Sequence, residues 1–255
     1  MTKKILFLSL VFTFFFSGCI PKQETVEGVF QTNSANTIKK DYTNIQKLLI
    51  NFKEKIDKRN PTAYNKNLSV RIYRLINESN NDFFLEFNNT TLENYKDYLQ
   101  IAFSKDDIEN RNDYLVLGLY YLVHSSYEIE TGHKIVALEY DKNKLDKLYK
   151  NLQIIKWKIK VDRDVKGNYL FLTWQNNWQI ELEKRLKNKE NITLETFLDL
   201  RHIKSNEETF LDHSNFSFEV QLTQIIDSTK NSLEALGEEP TDLSVIALKS
   251  VFMFL

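Results

Sequence analysis

The stretch that decides the fold is residues 38–56, IKKDYTNIQKLLINFKEKI. Its apolar side chains recur at spacings of 4, 3, 4, 3 and 4: Ile38, Tyr42, Ile45, Leu49, Phe52 and Ile56. This period places them on one face of an α-helix, with lysines and other polar residues on the opposite face. The pair Asn60-Pro61 ends the pattern, since the residue before a proline disfavours helical geometry. We therefore predict a long amphipathic helix at the start of the folded part.

Further helices are predicted along most of the chain. The 255 residues include only 6 glycines and 3 prolines, well below the usual share of roughly 12%. Helical periods or caps recur at about 68–76, 90–103, 113–130, 141–155, 175–188, 194–203, 218–236 and from 241 onward. Thr90-x-x-Glu93 resembles a capping box, and Gly132 is a C-cap candidate. We predict a mainly α protein with a single irregular multi-helix domain over residues 38–255, whose apolar C-terminus docks into the core.

A short β-hairpin is predicted near residues 157–173. Residues 156–161, KWKIKV, alternate polar and apolar side chains, which is typical of a strand. Asp164, Gly167 and Asn168 are turn residues, and strand-forming side chains follow at 169–174. We predict a helix to about Ile155, the hairpin, and a helix from about Gln175. The apolar stripe reaching Ile159 leaves a continued helix as the alternative.

The N-terminus has the pattern of an export signal. Residues 1–19 read MTKKILFLSLVFTFFFSGC, with Lys3 and Lys4 before a mainly apolar stretch at 5–16. Twelve residues span about 18 Å as a helix, too short for a hydrocarbon core of about 30 Å. We therefore predict that residues 1–18 are a signal peptide.

Residues 16–19, FSGC, resemble the lipobox of bacterial lipoproteins. The resemblance implies that the thiol of Cys19, the only cysteine, receives a lipid, that the signal is cut before it, and that the new N-terminus is acylated with a chain such as palmitate. By the sorting rule of enteric Gram-negative lipoproteins, the resemblance also implies that Ile20, which is not an aspartate, favours the outer membrane, facing the periplasm, over the inner membrane. The polar segment 19–37 is then expected to be a lipidated flexible tether.

Charge and motifs narrow the function classes. With 34 Lys+Arg against 35 Asp+Glu, the net charge of −1 gives no reason to expect a nucleic-acid partner. The six glycines, at 18, 28, 118, 132, 167 and 237, form neither a dinucleotide fingerprint nor a P-loop, and no His-Glu-x-x-His zinc motif occurs. We expect no metal and no cofactor.

One candidate site lies in the most apolar predicted helix. Tyr121, His124 and Glu128 are spaced to share a face of a helix over 113–130. They could line a ligand pocket, or His124 and Glu128 could form an acid–base pair. The alternative is a satisfied hydrogen bond at a helix packing seam.

A second candidate site surrounds residues 174–179, WQNNWQ. In a helix, Trp174 and Trp178 share one face, and Gln175 and Asn177 lie close by. Indole faces with amides suit a sugar, a peptide or a glycan strand, and Arg163 could meet an anionic ligand. The alternative is that the tryptophans anchor the core.

These features favour a lipid-anchored, non-enzymatic protein of the cell envelope, associated with the membrane through its lipid, that binds a partner protein or a small solute. The alternative is an envelope hydrolase or transferase acting on glycan or peptide. That enzyme would use His124 and Glu128, with the Trp174–Trp178 segment as its platform.

Overall fold

The structure is a computed structural model that describes residues 23–79, 83–200, 218–250 and 254–255. These residues form nine α-helices, two 3₁₀ helices and one two-stranded sheet, which confirms the mainly α class. The α-helices are α1 (Gln23–Arg59), α2 (Lys66–Glu78), α3 (Tyr95–Ala102), α4 (Arg111–Ser126), α5 (Lys142–Val161), α6 (Trp174–Lys187), α7 (Leu194–Leu198), α8 (Phe218–Ala235) and α9 (Val245–Ser250). The 3₁₀ helices are Ile129–Thr131 and Ala137–Glu139, and strands β1 (Glu86–Phe87) and β2 (Thr90–Thr91) pair antiparallel.

Helix α1 is the longest element, and it packs most extensively against α8. Every member of its predicted stripe, from Ile38 to Ile56, is at most 1% exposed, so the predicted buried face is confirmed. The helix also begins earlier than the sequence indicated, because it already includes residues 23–37. Ala35, inside the predicted tether, is 3% exposed. The division into signal peptide, tether and domain stays a prediction, since residues 1–22 lie outside the described part.

Helix α4 is buried nearly all round and packs closely against α3. A Cβ atom built on Gly118 would lie 2.7 Å from Leu99 Cδ2, so only glycine allows this approach. The helix ends at Ser126, four residues before the predicted end at Glu130. Gly132, with φ of 81°, instead follows the 3₁₀ helix Ile129–Thr131. The predicted C-cap is therefore wrong for α4.

The predicted hairpin near 157–173 is present only in part, because residues 157–161 belong to a helix. Helix α5 continues to Val161, because Ile159 extends its apolar stripe and is fully buried in the core. The predicted turn is present: Asp164 N–H donates to the Asn168 carbonyl at 2.8 Å, and one antiparallel bridge joins Arg163 to Tyr169. Among the described residues, the only paired strands are β1 and β2, which the sequence did not predict.

Thr90 lies in β2, so it does not cap a helix. Helix α3 is capped instead by the Asn94 side chain, which accepts hydrogen bonds from the N–H groups of Lys96 and Asp97. The capping residue thus lies four positions beyond the predicted one.

The C-terminal residues dock into the core as predicted, as far as they are described. The ring of Phe254 lies 5.8 Å from that of Phe103, and Phe254 is 9% exposed. Leu255 N–H donates to Asn151 Oδ1 at 2.8 Å, and its carbonyl accepts from Asn151 Nδ2 at 3.2 Å. No helix within the described ranges has the length and hydrophobicity needed to span a membrane.

Candidate functional site

The polar stripe predicted on α4 is buried and satisfied by local contacts. The Tyr121 hydroxyl donates a hydrogen bond to the Phe83 carbonyl. His124 is 2% exposed, and its Nε2 atom lies 3.2 Å from the Ser79 carbonyl oxygen. Both side chains therefore hold Ser79 and Phe83 against α4 and are themselves buried.

Glu128 lies apart from this stripe. Because α4 ends at Ser126, Glu128 follows the helix with a left-handed φ of 54°. Its carboxylate accepts a hydrogen bond from Lys144 Nζ at 2.6 Å on the partly exposed side of the molecule. The prediction that His124 and Glu128 share a helical face is therefore wrong, and the structure does not bring them together as an acid–base pair.

Burial also fixes the protonation state of His124. Removal from water lowers the pKa of His124 below its usual range, and the hydrogen bond to the Ser79 carbonyl opposes this only in part. The imidazole is therefore neutral at pH 7, which agrees with a structural contact.

The second predicted site is described only in part. Trp174, Gln175 and Asn177 lie in the first turns of α6, but their side chains fall outside the described ones. The Trp178 ring is half-buried and packs edge-on against Phe197, with ring centres 5.4 Å apart. Phe197 is itself only partly buried and lies outside the core, so the contact does not decide between a binding platform and a core anchor, and both stay predictions.

Arg163 is the predicted site residue that borders a cleft. Its guanidinium donates hydrogen bonds to the Gly167 carbonyl at 3.0 Å and to the Tyr169 hydroxyl at 2.6 Å, and it stacks 4.0 Å from the centre of the Tyr169 ring. Its ion pair with Glu183 is long, at 3.4 Å. The turn at 164–168 therefore fixes the orientation of Arg163 and leaves it partly open to solvent.

The cleft beside Arg163 lies between the C-terminal end of α5 and the start of α6, and we call it the α5–α6 cleft. It has a volume of about 520 Å³. Its walls include Trp157, Lys160, Arg163, Tyr169, Asn176 and Gln179. Two aromatic rings, two cations and the amide of Gln179 thus border one open surface, which is the mixture expected of a polar-ligand site, whereas the amide of Asn176 is buried.

The floor of the α5–α6 cleft is rigid. Thr173 and Asn176 form a reciprocal capping box at the start of α6, and Asn176 Nδ2 also donates to the Phe171 carbonyl at 2.9 Å. Both residues are 1% exposed. Hydrogen bonds within the protein therefore fix the first turn of α6.

The cleft is cationic on its α5 side. Lys160 has no ion-pair partner among the residues that the structure describes. Burial lowers the pKa of the neighbouring Lys156, and the positive charge of Lys160 lowers it further. The carboxylates of Asp227, Glu219 and Asp242 act on the pKa of Lys156 in the opposite direction.

A buried charged cluster elsewhere was missed by the sequence reasoning. Lys53 is 0% exposed, and its Nζ atom lies 2.7 Å from carboxylate oxygens of both Asp57 and Asp113. The rings of Tyr64 and Tyr73 lie 5.4 and 5.9 Å from the same nitrogen. Because solvent does not reach Lys53, the cluster holds the fold together and offers no ligand site.

The sequence did contain a signal for Lys53. It follows Leu49 by four residues and precedes Ile56 by three, so it lies on the buried face of α1. A lysine on such a face needs a buried acid, and Asp57 is one turn further on.

Within the described ranges, no three His, Cys, Asp or Glu side chains are grouped so that they could hold a metal ion. Comparison with protein-family models, curated proteins and solved structures finds no match for this chain.

Proposed function

We propose that this chain is a lipid-anchored, non-enzymatic protein of the cell envelope that binds a small solute or a partner protein through its helical domain. The observation that carries the proposal is the N-terminal pattern. Lys3 and Lys4 precede an apolar stretch, and FSGC at 16–19 contains the only cysteine of the chain. Two or more acyl chains at Cys19 would give stable anchoring.

The α5–α6 cleft supports the binding part of this proposal. It combines aromatic and cationic side chains on a rigid helical frame, whereas the residues proposed for acid–base chemistry are engaged elsewhere. His124 is buried against the Ser79 carbonyl, and Glu128 is paired with Lys144. The alternative of a hydrolase or transferase built on His124 and Glu128 therefore loses its geometric basis.

Localisation is part of the same proposal. We propose export, lipid attachment at Cys19, and residence at the outer membrane facing the periplasm, since Ile20 is not the aspartate associated with retention at the inner membrane.

Metabolic labelling with a radioactive fatty acid tests the anchor. We expect the full chain to be labelled and to sediment with membranes, and Cys19→Ala to abolish the label and release the protein. Ser17→Ala is the matched control, because it keeps a small residue before the cysteine and should be labelled normally. A Cys19→Ala protein that is still labelled would overturn the proposal.

A further inference from the structure

We propose that the α5–α6 cleft binds an acidic saccharide, with the carboxylate at Lys160 and Arg163 and the sugar ring against Trp157. This inference rests on the proposed function, because it names the ligand class of an envelope protein that binds solutes. Lipid attachment at Cys19 and the helical fold do not depend on this ligand assignment.

The aromatic wall favours a ring-shaped ligand. Trp157 is half-buried on α5, so the protein fixes the indole while part of its surface remains on the cleft. A flat apolar face of this kind packs against the C–H face of a sugar, and polar groups at its edge bind the hydroxyls. Gln179, on the opposite side of the cleft, offers both a donor and an acceptor for that purpose.

The charges favour a single carboxylate. Lys160 and Arg163 contribute two positive charges, and Glu183 contributes one negative charge near Arg163, which leaves a net charge of +1 at the cleft. The Arg163–Glu183 contact is 3.4 Å long, and both side chains are more than one third exposed. A ligand carboxylate can therefore take the place of Glu183, which turns outward to solvent.

Arg163 is already oriented for this contact. Its hydrogen bonds to the Gly167 carbonyl and the Tyr169 hydroxyl use one N–H group on each of the two terminal guanidinium nitrogens. The planar guanidinium has five N–H donors in all. The donors that remain can bind a carboxylate, and little side-chain entropy is lost because the group is held beforehand.

Calorimetric titration of the purified full chain in detergent tests the inference. The probes are cellobiouronic acid, neutral cellobiose and inorganic phosphate. We expect the acidic disaccharide to bind about tenfold more tightly than cellobiose, and phosphate not to displace it. Equal binding of the two disaccharides, or tighter binding of phosphate, would overturn the proposal.

Variants then locate the site. Lys160→Gln should weaken binding of cellobiouronic acid about three- to fivefold, and Glu183→Gln should strengthen it about threefold by removing the competing carboxylate. Lys147→Gln is the control, because Lys147 is an exposed lysine on the same helix but does not line the cleft. Unchanged affinity in both cleft variants would refute the site.

The two proposals fail in different ways. Absence of the fatty-acid label from the natural chain, with saccharide binding intact, would overturn the anchor alone. Normal labelling at Cys19 without saccharide binding would overturn the cleft assignment alone.

Discussion

The ammonium nitrogen of Lys53 lies 2.7 Å from Asp113 Oδ1, and both side chains are completely buried. The contact joins α1 to the first turn of α4. The second oxygen of Asp113 accepts a hydrogen bond from the Asn65 backbone N–H at 2.8 Å, so the same carboxylate also fixes the residue that caps α2. One ion pair thus sets the relative positions of three helices.

Replacing Lys53 should be strongly destabilising. Lys53→Met leaves two carboxylates, Asp57 and Asp113, buried without their cation, and removal of one partner from a buried pair costs about 3–5 kcal/mol. Burial already raises the pKa of Asp57 against the attraction of Lys53. We expect the free energy of unfolding, measured by urea denaturation at pH 7, to fall by about that amount.

Lys58→Met is the matched control for this experiment. Lys58 lies on the same helix and pairs with the acid four residues before it, Glu54, but both side chains are about half exposed. Exposed pairs of this type contribute about 0.3–0.5 kcal/mol. If Lys53→Met and Lys58→Met lower the free energy of unfolding by similar amounts, burial of the Lys53 ion pair does not increase its contribution to stability.

Gly118→Ala should destabilise the contact between α3 and α4. The added Cβ would lie 2.7 Å from Leu99 Cδ2 and 2.8 Å from Leu99 Cγ, and Leu99 is fully buried. We expect a loss of about 1–3 kcal/mol from overpacking, although alanine is favoured over glycine within a helix by about 1 kcal/mol. Thermal unfolding measures the net effect.

A double-mutant cycle identifies the cause. In a Leu99→Ala background the clashing atoms are absent, so Gly118→Ala should cost less there than in the natural chain. Equal costs in the two backgrounds, or a gain in stability from Gly118→Ala alone, would contradict the close approach at this glycine.

Removal of residues 251–255 should destabilise the domain by at least about 3 kcal/mol. The truncation deletes the buried ring of Phe254 and leaves the Asn151 side chain, which is 0% exposed, without its two bonds to Leu255. Leu255→Ala is the control, since it keeps those backbone bonds and removes a side chain that is 42% exposed. An unchanged melting temperature after truncation would disprove the docking.

Stability should fall between about pH 7.5 and about pH 5, in part through His124. Burial lowers the pKa of His124 in the folded chain, so the unfolded chain, with a usual pKa of about 6.5, binds the proton first as the pH drops. The neutral imidazole contributes fully to the free energy of unfolding above the unfolded chain's pKa of about 6.5. This contribution is lost as the pH falls below that value.

The variant His124→Gln tests this assignment. The quantity to compare is the change in the free energy of unfolding with pH, and not its absolute value. The variant should lose less free energy of unfolding than the natural chain over the same pH interval. It should retain part of the dependence, because burial lowers the pKa of His133 as well. Identical pH slopes for the two proteins would exclude His124 as a source of the effect.

The fold was predictable where the apolar period was unambiguous. The stripe from Ile38 to Ile56 is buried as its spacing requires, because a long amphipathic helix has only one way to hide that face. The alternation at residues 156–161 led to the wrong prediction of a strand there, since Ile159 fits both the period of a strand and the apolar stripe of α5. Burial of Ile159 in the core decided in favour of the helix.

The site was less predictable because it depends on where helices end. The four-residue spacing places Glu128 on the same face as His124 only if the helix continues to Glu128. The helix instead ends at Ser126, and Glu128 has a left-handed φ of 54°. Arg163 was singled out from sequence, whereas its neighbours Trp157 and Lys160 were assigned to a strand. The turn at 164–168 brings Tyr169 against Arg163 at the edge of the α5–α6 cleft, and spacing alone does not reveal this contact.

The continuity of α1 has a mechanical consequence. The helix has 37 residues, about 56 Å at 1.5 Å per residue, and Lys53 lies about 45 Å from its first residue, Gln23. A force applied at Gln23 is therefore transmitted along a stiff helix, whereas a flexible linker would extend under the same force. The load reaches the buried face that begins at Ala35 before it reaches the Lys53 ion pair, so the packing of α1 against α8 and this ion pair together resist extraction of the helix from the domain.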